Sequence, residues 1–203
     1  ASKGEAEFQY VEGTIPLLIS APHGAKHWRK SLDDYKQEDE YTGGLAQLLG
    51  EQTGAHVIYV RRKIDYDPNE DKEIPYKDKV KEICDNNEIK LILDLHGAGI
   101  KNEFGVELGT MKGESCEKYL PKIKEIFNKY DFTEKNEPNI TRLWIDKKFT
   151  GSGSNDKQRI IGFVWEELNI PAIQIEINGH LRIVDRKEDA HIKEKFSGNP
   201  ALI

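Results

Sequence analysis

The chain has 203 residues, 30 basic and 36 acidic, for a formal charge of -6, with 37% hydrophobic and 9% aromatic residues. That apolar content excludes a disordered chain, and the acidic balance lacks the basic footprint of a nucleic-acid binder. No apolar run reaches the roughly 20 residues that span a bilayer.

A chain of this length buries one substantial core, so residues 1–203 are read as a single domain. Two cysteines, Cys84 and Cys116, are too few for a disulfide framework and suit a reducing compartment. The opening Ala-Ser-Lys-Gly-Glu-Ala-Glu has no apolar signal core and no initiator Met. A processed, cytoplasmic chain is therefore expected, with neither nucleic acid nor membrane as partner.

In chain order, Ile15–Ser20 reads as a short buried strand running into Ala21-Pro-His-Gly24, and Leu45, Leu48 and Leu49 recur at helical spacing up to a capping Gly54. Ala55–Val60 is the second strand, 65–73 an acidic loop, Lys77–Asn87 a helix, and Ile89–Leu95 a strand apolar on both faces. Phe104–Thr110 and Asn139–Ile145 read as strands, Glu114–Tyr130 and Gln158–Leu168 as helices, and Pro171–Ile177 as a last buried strand. The alternation predicts an α/β fold, a three-layer α/β/α sandwich around a mostly parallel sheet.

Ligands in such sheets bind outside the carboxyl ends of the strands. His23, His96 and Glu176 all stand at strand ends, and an acid from Gln37-Glu-Asp-Glu40 joins them. Two imidazoles and a carboxylate make a catalytic metal site, and a second, unligated carboxylate beside it can move protons. Asp94 shares the face of His96 and is placed to accept the spare imidazole N–H of His23 or His96. His180 and Arg182 follow the last strand and could line the same cleft. His27 and His56 are expected to be exposed, His191 solvated, and Trp28, Trp144 and Trp165 packed. Gly151-Ser-Gly-Ser154 could cradle an anion, but it lacks the Lys and the spacing of a nucleotide loop and reads as a mobile loop. No Gly-x-Ser-x-Gly elbow is present and neither Cys has a His signature, which disfavours a covalent hydrolase.

Taken in order, Leu17-Leu-Ile-Ser-Ala-Pro-His23-Gly, Asp39-Glu-Tyr-Thr-Gly-Gly-Leu-Ala, Asp67-Pro-Asn69, Asp94-Leu-His96 and Gln174-Ile-Glu176-Ile resemble the N-formylglutamate amidohydrolase family. That family is similar to zinc carboxypeptidases and aspartoacylase. The resemblance implies a carboxypeptidase-like fold and one Zn²⁺ per chain, held by His23, Asp39 and His96, with Glu40 as the alternative to Asp39. It implies Glu176 as the general base of a metal-activated water that cleaves an amide in an N-acyl, N-formyl, amino acid or small peptide. Asn69 matches the first member of the family's Asn-Arg pair for a substrate carboxylate, but Glu70 stands where the Arg belongs. Arg61, Arg62, Arg159 or Arg182 could supply the missing clamp, and Glu70 predicts poor use of acidic substrates such as N-formylglutamate. The other readings are an amide hydrolase of cell-wall peptides or polyglutamate, a non-catalytic metal- or ligand-binding protein on the same scaffold, and, least favoured, a phosphate-handling protein using Gly151–Ser154.

Overall fold

The computed structural model describes residues 7–136, 139–154, 156–186 and 198. The expected strands form, together with three not expected. In chain order they are β1 (Phe8–Val11), β2 (Ile15–Ala21), β3 (His27–Arg29), β4 (Asp34–Lys36), β5 (Ala55–Val60), β6 (Leu91–Ala98), β7 (Val106–Gly109), β8 (Leu143–Ile145) and β9 (Ala172–Asn178). The helices are α1 (Thr42–Thr53), α2 (Pro75–Asn87), α3 (Leu120–Lys129), α4 (Ile160–Leu168) and the single turn α5 (Gly179–Arg182).

Seven strands build one sheet in the order β1-β5-β2-β6-β9-β7-β8, and β3 with β4 makes a separate hairpin. The four central strands, β5, β2, β6 and β9, run parallel. β1 and β7 pair antiparallel to their inner neighbours. β1 was hidden in the sequence because an edge strand needs apolar residues on one face only.

Side chains alternate between the two faces of each strand. Leu18, Ile58, Val60 and Ile92 pack with α2 and α4, while Ile19, Val57 and Leu95 pack with α1. α3 covers β7 and β8 through Leu120, Ile123 and Phe127. Helices thus cover both faces, the expected three-layer sandwich. Each fully buried Leu or Ile contributes roughly 1.5–3 kcal/mol. The helix expected from Glu114 to Tyr130 is broken. Glu114–Cys116 is a 3-10 turn and α3 starts only at Leu120, because Pro121 lacks an N–H and its ring crowds the preceding turn. Cys84 and Cys116 are both free and buried. No helix among the described residues is long and apolar enough to cross a membrane.

Candidate metal centre and active-site cleft

The parallel strands end on one side of the sheet, and the charged cluster gathers there. β2 stops at Ala21 and the turn that follows carries His23. Asp39 lies between β4 and α1, tied back by its N–H to the His23 carbonyl at 2.9 Å. His96 sits on β6, directly in register with Glu176 on β9, which is in register with Glu107 on β7. One row across three strands therefore carries an imidazole and two carboxylates on the same face.

His23 Nδ1 and His96 Nδ1 approach the same oxygen, Asp39 Oδ2, at 3.3 and 3.5 Å. The far nitrogen of each ring meets another carboxylate. His23 Nε2 lies 2.8 Å from Asp67 Oδ1, and His96 Nε2 lies 2.8 Å from Asp94 Oδ2. All five side chains are buried. Carboxylates on the Nε2 side would hold a proton there and free Nδ1 for a metal ion, which would displace the proton Nδ1 otherwise shares with Asp39. The contact expected of Asp94 is made with His96, and Asp67 makes the same contact with His23. Asp67 was visible only as part of a quoted motif. The rule that a ligating imidazole needs an outer carboxylate could have singled it out.

Electrostatics favour a cation at this point. Burial opposes charge on His96, but Asp94 and Asp39 outweigh it and raise its pKa to about 10. Burial likewise pushes the Asp39 carboxyl up, yet hydrogen bonds from His23 and His96 hold it well below the usual range. Two Nδ1 atoms and a carboxylate oxygen within 4.8 Å of one another form the mixed N/O donor set that Zn²⁺ takes, with a fourth position left for water or substrate. The residues present fit the metal.

Between Asp39 and Glu40 the geometry discriminates. Glu40 turns away to pair with Arg186, Oε1 accepting from Nε at 2.8 Å. Glu176, buried beside the cluster, accepts from Gln174 Nε2 at 2.8 Å through Oε1. Burial, then the Asp39 charge, raises its pKa, against the pull of His96.

A cleft of about 440 Å³ opens over the cluster, lined by His23, Asp39, His96 and Glu176 together with Asn69, Arg159, Arg182, Arg29, Lys36 and Lys148. Arg182 donates to the carbonyls of Ile177, Glu40 and Ala98 at 3.1, 2.5 and 3.2 Å. Its hydrogen-bond partners are main-chain carbonyls, and burial lowers its pKa against the pull of the Asp39, Glu40 and Glu176 carboxylates. Gly97 makes room for it, since a Cβ there would lie 2.5 Å from the guanidinium carbon. Asn69 lines the cleft with its Oδ1 committed to the Ile160 N–H at 2.9 Å, which ties its loop to α4. Arg61 is not brought in. It is exposed, beyond the end of β5, with Nη1 on Gln9 at 3.2 Å, because the antiparallel pairing of β1 with β5 holds it on the outer edge. Arg62 is exposed there too, and His180 is half-buried outside the cleft lining. His191 lies outside the described residues.

Three further expectations change. His27 is fully buried, stacked on His23 with ring centres 4.0 Å apart. Its Nδ1–H donates to the Ala25 carbonyl at 3.1 Å, while burial, reinforced by His23, pushes its pKa down to about 3. His56 is buried as well, with Tyr10 Oη 2.8 Å from Nδ1. Glu70 does not charge the cleft. It is buried against Lys157 Nζ at 2.8 Å and Arg159 Nη1 at 3.3 Å. Of the five cationic residues lining the cleft, Arg29, Arg159 and Lys36 are paired with Asp67, Glu70 and Asp39 at 2.7, 3.3 and 3.6 Å, and with Glu70 neutralised in this way the expected repulsion of acidic substrates loses its basis.

A further wall of the cleft is the segment 148–152. Glu107, fully buried, holds it. Its Oε1 accepts the backbone N–H groups of Lys147, Lys148 and Phe149 at 2.8, 2.5 and 2.9 Å.

No protein-family model and no curated protein matches the sequence. Solved structures do match the fold. An N-formylglutamate amidohydrolase from Ralstonia eutropha JMP134 aligns over 97% of this chain and 93% of its own, at TM-score 0.59 and 13% identity. A bacteriophage poly-gamma-glutamate hydrolase aligns over 90% of this chain and 76% of its own, at TM-score 0.50 and 12% identity. At these identities the likeness establishes a shared three-layer architecture.

Proposed function

We propose that the chain is a zinc-dependent hydrolase cleaving an amide bond in an N-acyl amino acid or short peptide. The observation that most supports this is the pair of buried imidazoles aimed through Nδ1 at one Asp39 oxygen, each fixed behind by a carboxylate, with Glu176 unligated beside them. Zinc held by His23, Asp39 and His96 would polarise the substrate carbonyl and bring the pKa of water towards neutrality.

The chain's own groups divide the remaining work. Asp67 and Asp94 hold the ring protons on Nε2. Glu176 accepts a proton from the attacking water at its carboxylate and hands it to the departing amine nitrogen, so the products are a carboxylic acid and an amine. Gln174 keeps that carboxylate oriented. Arg182 offers guanidinium N–H groups to the oxygen that gains charge as the carbonyl is attacked, or to a substrate carboxylate. Arg182 and Lys148 in the cleft lining support acidic substrates, N-acyl glutamates and polyglutamate among them.

Metal analysis of chelator-free protein, followed by a screen of N-acyl amino acids and γ-glutamyl peptides, tests the reading. About one zinc per chain and turnover abolished by a chelator support it. Stable metal-free protein that turns over none of them, zinc added or not, overturns it.

A further inference from the structure

Between His23 and Asp39 the chain makes an excursion that supplies no ligand. It runs out along β3 and returns along β4, and His27 faces Lys36 across the hairpin. Residues paired in this way share a face, and both side chains of the rung reach back to the metal centre. Lys36 Nζ lies 3.6 Å from Asp39 Oδ1. The His27 ring lies flat on that of His23, 4.0 Å between centres at an interplanar angle of 6°. His96 meets the same ring edge-on, at 4.9 Å and 80°.

His27 is itself firmly held. Its Nδ1–H donates to the Ala25 carbonyl at 3.1 Å. The Trp28 N–H bonds the Ile64 carbonyl and the Ile64 N–H the Lys26 carbonyl, both at 3.1 Å, which fixes β3 against the segment leading to Asp67. Two residues on, Arg29 grips Asp67 Oδ2 through Nη2 at 2.7 Å and Nε at 2.8 Å. Asp67 is the carboxylate behind His23, so β3 supports His23 twice, on its ring face and through its carboxylate.

The contacts at His23 Nδ1 and Nε2 lie near the ring plane, so they oppose sliding more than tilting about the line that joins them. A flat group on the ring face opposes the tilt. His27, His23 and Asp67 also offer ligand atoms within 4.8 Å of one another. There, however, the Arg29 guanidinium already sits on Asp67 Oδ2, the oxygen 3.6 Å from His27 Nε2, and an added cation would meet it at close range.

We propose that His27 is a positioning residue whose ring, stacked on His23, fixes the plane in which His23 presents Nδ1 to the metal. The inference rests on the metal-centre reading and adds that zinc affinity depends on a flat ring at position 27, not on its nitrogens.

Two kinds of substitution separate ring from nitrogen. His27→Phe keeps a flat ring and loses the donor to Ala25. His27→Asn and His27→Gln keep a donor and lose the ring. Zinc affinity is measured on the full chain by competition with a chromophoric chelator, beside melting temperature and the visible spectrum of cobalt-loaded protein. Groups that orient a ligating imidazole typically contribute about ten- to hundredfold in affinity. Asn and Gln should therefore weaken zinc about tenfold and shift the cobalt spectrum. Phe should stay within about threefold with the parent's spectrum, though its melting temperature falls because the Ala25 carbonyl loses its donor. Weakening in Asn and Gln at a near-parental melting temperature supports the proposal even if the Phe protein does not fold. Parental zinc affinity in Asn and Gln overturns it. So does a folded Phe protein that loses as much as they do, or a parent that binds two zinc ions where Phe binds one, since His27 would then be a ligand. A parent that binds no zinc sinks the metal reading and this role with it, whereas zinc-binding parent and indifferent Asn and Gln variants sink this role alone.

Discussion

The two walls of the cleft are built on opposite principles. On one side His23, Asp39 and His96 stand on parallel strand ends and preceding loops, and every ring is fixed by a carboxylate side chain. On the other, segment 148–152 contributes its main chain, and one distant carboxylate, Glu107, fastens it through three N–H groups. The first arrangement demands particular residues at its own positions. The second is fastened through its backbone, with Gly151 at φ 73°, where a Cβ would lie 2.2 Å from Ile161.

The largest expected effect falls on the first wall. His96→Ala should lose most bound metal, measured by elemental analysis of chelator-free protein, while circular dichroism shows a folded chain. Full retention of metal would break the assignment. Next, Glu176→Gln keeps the shape but removes the base. Turnover should fall by about a hundred- to ten-thousand-fold with metal content unchanged. If instead thermal stability drops and turnover per folded molecule holds, Glu176 is a structural group.

The second wall should respond in kind rather than degree. Glu107→Gln weakens charge-assisted acceptance of three N–H groups. A loss of about 1–3 kcal/mol in urea unfolding is expected, with KM rising more than kcat falls, because the wall loosens and the ligands stay. Equal loss of both would mean that the two walls are not separable.

The smallest effect sharpens the picture through pH. Lys77, fully buried, donates to the carbonyls of Asp71 and Gln158 at 2.6 and 2.5 Å, joining the loop of Asp67 and Asn69 to the start of α4. Burial lowers its pKa from 10.5 to about 8, against the pull of Asp67 and Asp71. Between those values the unfolded chain binds the extra proton, so stability rises with pH. Relative to Lys77→Met, the parent should gain about 1 kcal/mol from about pH 7.5 to about pH 9, read by urea titration. A parent that loses ground over that window would contradict the buried amine.

Much of the first wall was legible in the sequence. The apolar runs before His23 and His96 and around Glu176 mark buried strands, and a charged residue ending such a run has few explanations other than chemistry. Only the family resemblance favoured Asp39 over Glu40, because adjacent acids differ only in which way the turn before α1 faces them. The second wall was silent: Glu107 meets its partners some forty residues later, across a register that no local pattern encodes. Glu70 misled for the same reason. Its neutralising partners, Lys157 and Arg159, come from the other side of the fold. Arg29, Lys36 and Gln174 were missed too, since surface-type residues acquire a role only once β3, β4 and β9 bring them to the cleft. His27 was taken for an exposed residue because its burial depends on stacking against another imidazole.

The sheet order carries a consequence for how the chain comes into being. β9, the last strand among the described residues, is inserted between β6 and β7 in the middle of the sheet. A growing chain that has emerged only to Pro171 holds both imidazoles and Asp39 but lacks Glu176, and β6 and β7 each expose an unpaired edge. Such edges are templates for intermolecular pairing, and pairing distant strands is slow. The window between synthesis of β7 and closure by β9 is thus the interval in which this protein is most open to aggregation, and the proposed catalytic group Glu176 joins the cluster in the same event that ends it.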